Sequence, residues 1–186
     1  RSSAASDVYK RQGLIPVYLK DRFRGGEFFR DMKTVMTIHN LKFQGVWDVK
    51  TIQRFSGLPD YYFTPDKLEA YKDGNMLKGG LVYADAITTV SSTYAEEIKT
   101  PFYGEGLDGL MRARANDLRG IVNGIDYGMW NPAADPALAV NYDITNVLER
   151  KPQNKLALQK ELGLVEDEGK LVVGLISRLT NQKGLD

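Results

Sequence analysis

Four short apolar segments, each followed at once by polar or small residues, constrain the fold of this chain more than any other feature. They share β-branched residues and lie at 34–38, 86–90, 119–122 and 171–177. Such runs are typical of buried strands, and the stretches between them show helical spacing. Strand and helix alternating along the chain predict a doubly wound α/β fold with parallel sheets and flanking helices.

The predicted helices lie before and between these strands. They are the end of a helix at 14–19, a short helix at 75–83, a helix capped by Ser91, a helix at 107–115 and a helix at 154–162 that stops at Gly163. Glycine and proline interrupt residues 41–73, which are predicted to be rich in loops. Four aromatic residues in that loop are predicted to form a satellite core rather than a binding platform; they are Phe55, Tyr61, Tyr62 and Phe63.

Composition excludes several classes of function. The 186 residues contain 25 Lys and Arg against 24 Asp and Glu, and a net charge of +1 suits neither a nucleic-acid binder nor a polybasic membrane surface. Cysteine is absent and His39 is the one histidine, so cysteine-based and multi-histidine metal sites are excluded. No apolar run approaches the roughly 18 residues of a membrane span and no signal peptide is visible, so we expect a cytoplasmic protein without membrane contact.

The two ends of the chain differ from the middle. Residues 1–12 are polar and aperiodic and are interpreted as a cloning or assembly scar, with a disordered native tail as the alternative. At the other end, the strand predicted at 171–177 comes shortly before the last residue, Asp186. Since a single strand cannot bury both of its faces, we expect the chain to have begun a second α/β unit without finishing it.

Polar side chains follow each of the four predicted strands. His39 follows the first, Ser91 the second, Asn123 the third, and Arg178 with Lys183 the fourth. Each position also has a structural explanation that needs no ligand. His39 could be a structural histidine, Ser91 a helix cap, Asn123 part of an asparagine-glycine turn, and the two cations solvated surface charges. Ligands of open α/β sheets bind beyond the carboxyl ends of the strands, so the group as a whole predicts a binding site.

Arg178 and Lys183 suit a diphosphate. A guanidinium binds two phosphate oxygens at once, an ammonium adds a mobile charge, and Gly184 allows close backbone approach. The sequence has no P-loop and no dinucleotide fingerprint, and the glycines of 103–109 have the wrong spacing for one. The two cations therefore predict a diphosphate site outside these two motif classes.

Five motifs in order closely resemble bacterial glycogen synthase and plant starch synthase, and the bacterial branch fits best. They are TIHNLKFQG (37–45), NMLKGGLVYADAITTVSSTYAEEI (75–98), GEGLDGLMRAR (104–114), GIVNGIDYGMWNP (120–132) and ISRLTNQKGLD (176–186). The resemblance runs from about residue 13 to 186. It implies part of a GT-B architecture and a hexosyltransferase. That enzyme would transfer glucose from ADP-glucose to the non-reducing end of an α-1,4-glucan such as glycogen, with retention at the anomeric carbon.

The resemblance also implies roles for individual residues. His39 would contact the donor glucose near its reacting centre, and Asn123 would hydrogen-bond the transferred sugar. Arg178 and Lys183 would bind the ADP diphosphate and stabilise the leaving group. No metal and no separate cofactor are implied, and no carboxylate pair stands out as nucleophile and acid, which fits the front-face mechanism proposed for retaining enzymes of this architecture.

Domain boundaries follow from the same resemblance. Residues 13–126 would be the C-terminal part of the N-terminal Rossmann-like domain, 127–150 an interdomain linker and 151–186 the start of the C-terminal glycosyltransferase domain. The family's upstream lysine-glycine-glycine motif and its C-terminal glutamate motif are absent, so we expect this chain alone to be inactive. Two alternatives stay open: a GT-B transferase with another nucleotide-sugar donor, and a non-catalytic module that binds glucan or nucleotide.

Overall fold

The computed structural model describes residues 11–179 and 183–184, and the chain divides into two compact units, 1–123 and 124–186. Within the described residues the strands are β1 (Val35–Ile38), β2 (Val46–Trp47), β3 (Glu69–Ala70), β4 (Asp73–Asn75), β5 (Ala86–Thr89) and β6 (Leu118–Gly120). The helices there are α1 (Leu14–Tyr18), α2 (Val49–Ser56), α3 (Met76–Tyr83), α4 (Ser92–Glu97), α5 (Asp108–Ala113) and α6 (Val147–Glu161). A π-helical turn, Leu19–Phe23, continues α1, and a 3-10 turn spans Asp60–Tyr62.

A parallel sheet forms the centre of the first unit, with the order β1, β5, β6 among the described residues. Its register places Ile38 beside Thr89 and Thr89 beside Gly120. The buried Thr89 hydroxyl donates to the Ile38 carbonyl at 2.8 Å, which satisfies a polar group that burial would otherwise penalise. The first three predicted strands are confirmed to within two residues at each end, and so is the α/β class with a parallel sheet and flanking helices.

Side-chain caps begin two of the helices that flank this sheet. Asn75 accepts the Lys78 N–H at 2.9 Å at the start of α3, and Ser91 accepts the Tyr94 N–H at 2.8 Å at the start of α4. Each cap satisfies one of the backbone donors that a helix leaves unpaired in its first turn. The four helices predicted in the first unit are confirmed.

Two hydrophobic clusters stabilise the first unit. The larger joins the parallel sheet to α3, α4 and α5; its buried members are Met36, Ile38, Leu41, Leu77, Leu81, Ala84, Ile87, Ala95, Ile98, Leu107, Met111 and Leu118. The smaller joins α1 and α2 to the region before α3; its buried members are Leu14, Val17, Ile52, Leu58, Tyr62, Leu68 and Met76. Burial of one such aliphatic side chain contributes roughly 1.5–3 kcal/mol relative to its exposure to water.

Residues 41–73 are rich in turns and loops, as predicted, but they also contain a helix and short strands that the sequence analysis does not identify. Helix α2 lies here, capped by the Asp48 carboxylate, which accepts the Thr51 N–H at 2.9 Å, and ended by Gly57 at φ 66°. Strands β2, β4 and β3 pair in that order as an antiparallel ribbon. They have only two or three residues each, too few for a period-two pattern to stand out in the sequence.

The four aromatic residues of this region divide into two pairs. Tyr62 is buried and Phe63 is partly buried against the smaller cluster, as predicted. Phe55 and Tyr61 are 55% and 65% exposed, so for these two the prediction of a satellite core is wrong. Phe55 lies on α2, where an exposed position on a surface helix needs no special explanation.

The second unit contains α6, which starts at Val147 rather than at the predicted Asn154. Pro152 lies inside the helix, and a proline in a helical pattern argues from sequence for a later start. Gly163, at φ 67°, follows the end of the helix as predicted. Gln159 is 2% exposed, and its amide donates to the Asp167 carbonyl at 3.1 Å and accepts the Asp167 N–H at 3.0 Å.

The prediction of a strand at 171–177 is wrong, because this segment forms neither strand nor helix. Its large apolar side chains are exposed; they are Leu171, Val173, Leu175 and Ile176. A parallel strand is stable only beside partners, and neither sheet of the described residues contains a strand paired with this segment. The apolar pattern alone therefore does not produce a strand here.

Asp85 joins three segments of the first unit. Its carboxylate accepts Lys20 Nζ at 2.5 Å, the Thr34 N–H at 2.8 Å and the Thr34 hydroxyl at 3.0 Å. Burial by itself raises the pKa of Asp85, but these donors outweigh burial and lower the pKa from 3.8 to about 2. The ionised carboxylate thus ties the end of α1 to the starts of β1 and β5.

We expect Asp85→Asn to lower the free energy of unfolding by about 2 kcal/mol at neutral pH, the equivalent of this pKa difference. Because the folded-state pKa is depressed, the contribution is complete well above the unfolded value and is lost as the pH falls from about 4 to about 2. Urea unfolding across that range measures it. Asp31→Asn, at a side chain 92% exposed, is the control; equal stability of Asp85→Asn and the unmodified chain at neutral pH contradicts the assignment.

Gly120 ends β6 against the start of α4, and a Cβ at this position would overlap the Ser91 carbonyl group and the Ser92 Cα. We expect Gly120→Ala to lower the free energy of unfolding by about 1–3 kcal/mol, since backbone atoms must move to admit the methyl group. Gly124→Ala is the matched control, because a Cβ there meets nothing within 4 Å. Indistinguishable urea unfolding curves for the two variants would show that Gly120 is not tightly packed.

Candidate functional site

Three of the predicted site residues follow adjacent strands of the parallel sheet. His39 comes directly after β1, Ser91 two residues after β5 and Asn123 three residues after β6. Because these strands are parallel neighbours, their carboxyl ends lie at one edge of the sheet, which we call the carboxyl edge. Polar groups at such an edge are where open α/β sheets bind ligands.

His39 begins the segment 39–45 that leads from β1 toward the ribbon, here called the post-β1 segment. Its side chain is exposed and lines a cavity of about 300 Å³ that lies along β1 and α1. The next residue, Asn40, folds the chain back, since its side-chain oxygen accepts the Lys42 N–H at 2.9 Å. The imidazole is therefore presented at the carboxyl edge by a turn rather than by a helix.

The post-β1 segment is held to α4 through Leu41 and Tyr94. Leu41 is fully buried, and its N–H donates to the Tyr94 hydroxyl oxygen at 3.2 Å. Burial raises the pKa of Tyr94, so the phenol stays protonated at neutral pH. The chain immediately after His39 is thus fixed by a buried side chain and by a hydrogen bond to a neighbouring helix.

Ser91 and Asn123 differ in how much of their hydrogen-bonding capacity the fold uses. The Ser91 hydroxyl caps α4 and accepts the Tyr94 N–H, which supports the structural alternative for this residue. Asn123 is exposed, on a stretch of chain that continues past β6 and pairs once more, where the Ile121 N–H donates to the Thr89 carbonyl at 2.8 Å. Asn123 is therefore displayed toward solvent at the carboxyl edge, close to the point where the first unit ends.

Arg178 and Lys183 belong to the second unit, and both are exposed. They follow the segment 171–177, for which the predicted strand is absent, so the expectation that all four site positions follow strands holds for three of them. Residues 180–182, between the two cations, lie outside the described part of the chain. The exposed guanidinium and ammonium groups retain the chemistry that suits a diphosphate.

Sequence reasoning passed over two residues that hold the carboxyl edge together, Gln44 and Asn75. Asn75 is 1% exposed, and besides capping α3 it donates through Nδ2 to Gln44 Oε1 at 2.5 Å. Asn75 had a detectable signal, because asparagine before an apolar helical run is a typical cap. No sequence pattern identifies Gln44, because its hydrogen-bond partners, Asn75 and Glu105, are distant in the chain.

The lysine-glycine-glycine triplet at 78–80 is structural. Lys78 Nζ donates to the carbonyl oxygens of Pro65 and Glu69, and desolvation by burial lowers its pKa. A Cβ at Gly79 would press on the Leu68 side chain, and one at Gly80 would meet the backbone of Gly13. The triplet therefore packs α3 against its neighbours.

The described residues lack two further features that would indicate a ligand or an environment. Within that part of the chain, no three histidine, aspartate or glutamate side chains lie close enough together to hold a metal ion. In the same residues, no helix has the length and apolar character that crossing a membrane requires.

Comparison with known proteins points to one family. The family described as the starch synthase catalytic domain matches residues 11–113, more than half of the chain. The chain is 67% identical over 174 residues to a glycogen synthase of Lachnospira eligens and 57% identical over 173 residues to one of Thermotoga petrophila. These alignments cover 94% and 93% of the chain but only 36% and 35% of the relatives, so the chain spans about a third of their length.

A solved structure gives the same result for the fold. The catalytic domain of starch synthase IV from Arabidopsis thaliana, bound to ADP and acarbose, matches with a TM-score of 0.74 and 31% sequence identity. The match covers 82% of this chain and 31% of that one. The fold expected from the sequence, part of a GT-B architecture, is therefore confirmed.

Proposed function

The chain belongs to the starch synthase catalytic domain family, and we propose that it is part of a glycogen synthase. The enzyme transfers glucose from ADP-glucose to the non-reducing end of an α-1,4-glucan, with retention at the anomeric carbon, and works in the cytoplasm. The observation that carries this proposal is the family match across β1, the post-β1 segment and the helices that fix it. The glycogen synthases that resemble this chain, and the ADP in the starch synthase structure, support the choice of substrates.

The reaction exchanges one bond to the anomeric carbon of glucose for another. The bond from that carbon to the diphosphate oxygen breaks, and a new bond forms to the acceptor hydroxyl oxygen on the same face of the sugar. The hydroxyl proton passes to the departing diphosphate, so charge and atoms balance without a separate cofactor. Negative charge grows on the diphosphate and positive charge on the sugar, and fixed groups of opposite charge lower the barrier.

Arg178 and Lys183 are proposed to hold the diphosphate. The guanidinium can bind two phosphate oxygens at once, and the ammonium adds a point charge that follows the leaving group. Both side chains are exposed in the second unit, where an anionic ligand can reach them. Each charge-assisted hydrogen bond contributes about 1.5–3 kcal/mol.

His39 and Asn123 are proposed to hold the sugar of the donor. Both are exposed at the carboxyl edge of the first unit, where amide and imidazole groups can hydrogen-bond to sugar hydroxyls. As domain boundaries we propose 13–126 for the C-terminal part of the N-terminal Rossmann-like domain, 127–150 for an interdomain linker and 151–186 for the start of the C-terminal glycosyltransferase domain.

We expect Arg178→Ala and Lys183→Ala each to lower kcat/KM for ADP-glucose by about 10²–10³ in the full-length protein, because each removes charge from the leaving group. The measurement is glucose transfer to glycogen under steady-state conditions. Lys151→Ala removes the same charge at an exposed lysine of α6 that is not assigned to the diphosphate, and it is the control. Near-normal turnover by either of the first two variants contradicts the assignment.

We expect His39→Ala to lower kcat by about 10²–10³, since a group placed near the reacting centre acts mainly in the transition state. Lys42→Ala is the control on the same segment, with an exposed side chain.

Parallel assays with ADP-glucose and UDP-glucose test the donor. Exclusive use of UDP-glucose would replace the proposed donor, and binding of glucan or nucleotide without any turnover would favour a non-catalytic module.

A further inference from the structure

We propose that Gln44 is a positioning residue that holds the glycine loop, residues 104–106, against the post-β1 segment that carries His39. The inference rests on the proposed function, because it assigns a role within the same site. Gln44 lies five residues after His39, and its side chain joins two segments that are far apart in sequence. Both hydrogen-bonding groups of its side chain are used within the chain, so its effect on the reaction would pass through the segments that it joins.

The backbone of Gln44 is fixed by the start of α3. The Leu77 N–H donates to the Gln44 carbonyl at 3.0 Å, and the Met76 N–H donates to the Gly45 carbonyl at 3.3 Å. These donors belong to the first turn of a helix, where backbone N–H groups have no partner within the helix itself. The side chain of Gln44 therefore projects from a rigid base.

Its neighbours fix the orientation of the Gln44 amide. Asn75 uses its side-chain oxygen to accept the Lys78 N–H at 2.9 Å, so the Asn75 Nδ2 group faces Gln44 as a donor. Gln44 must then present Oε1 to Asn75, which leaves Nε2 to donate to the Glu105 carbonyl at 2.9 Å. Donor and acceptor are both used, and a side chain with only one of them cannot replace the amide.

The glycine loop has a backbone conformation that needs such support. Glu105 has φ 49° and Gly106 has φ 80°, so two successive residues are left-handed, and for Glu105 its Cβ makes this unfavourable. A second side chain holds the loop from another direction, since the Tyr71 hydroxyl donates to the Gly106 carbonyl at 3.2 Å. Non-glycine residues at positive φ persist where surrounding contacts hold them, and they cluster at functional sites.

These contacts link three segments at the carboxyl edge: the post-β1 segment, the start of α3 and the glycine loop. If the hydrogen bond from Gln44 Nε2 is lost, the loop and the post-β1 segment can move relative to each other. A displacement of about 1 Å in a reacting geometry can cost on the order of 100-fold in rate. Gln44 would therefore influence turnover more than donor affinity.

The test is Gln44→Glu in the full-length protein, with the same substitution at Gln153 as its control. Glutamate has nearly the shape of glutamine and still accepts from Asn75, but its carboxylate cannot donate to the Glu105 carbonyl and repels it. Gln153 is an exposed residue of α6 whose amide reaches only the Glu149 carbonyl of its own helix, at 3.4 Å. Steady-state kinetics are measured with glycogen and ADP-glucose, together with thermal unfolding.

We expect kcat of Gln44→Glu to fall at least tenfold, KM for ADP-glucose to stay within about threefold and Tm to stay close to the unmodified value. Gln153→Glu should leave all three unchanged. A kcat within twofold of the unmodified protein overturns the proposal. So does a loss of kcat that is matched by Gln153→Glu or accompanied by a large fall in Tm, because the effect is then not one of position.

Hydrogen exchange gives a second readout that does not need turnover. We expect Gln44→Glu to speed exchange at the amides of 104–107 and to leave the rest of the first unit unchanged. If the unmodified protein makes no glucan, the proposed function fails and this readout still decides the structural link. Unchanged exchange in the glycine loop overturns the role of Gln44 in either case.

Discussion

The buried amide of Asn75 is the contact on which the carboxyl edge of the first unit depends. Its oxygen caps α3, its nitrogen donates to Gln44, and its backbone N–H donates to the Leu68 carbonyl at 2.8 Å. A buried polar group left without a partner costs about 1–3 kcal/mol, so removing any one of these segments penalises the others. The placement of His39 thus depends on a residue of a different element, through the post-β1 segment.

Elements with their own local signals could be predicted from the sequence. Helix α3 has a capping asparagine before an apolar run, and β5 is a β-branched segment followed by a capping serine. Both were placed within a residue or two. The same local reasoning placed His39, Ser91 and Asn123 after parallel strands, because the direction of a parallel strand fixes the edge at which its polar successor lies.

Elements that form only by pairing with other segments of the chain could not be predicted from local sequence. The ribbon strands β2, β3 and β4 form because they pair with one another, and no single one has a recognisable pattern. The segment 171–177 is the opposite case, with a clear strand pattern and no partner strand in the described residues. The role of Gln44 is equally hard to predict from sequence. Its amide joins Asn75 to Glu105, and these contacts exist only once all three segments are folded together.

The residues proposed to bind the donor fall into two chemical groups. His39 and Asn123, in the first unit, are proposed to hold sugar hydroxyls, and Arg178 and Lys183, in the second unit, are cations proposed to hold a diphosphate. The 186 residues have a net charge of only +1, so this part of the protein has little overall charge with which to steer the proposed anionic donor from a distance. Under the proposed function, recognition of the diphosphate would then come from short-range bonds, whose strength depends on geometry. Within the first unit, the uncharged contacts of Gln44 and Asn75 likewise fix geometry at short range, beside the segment that carries His39.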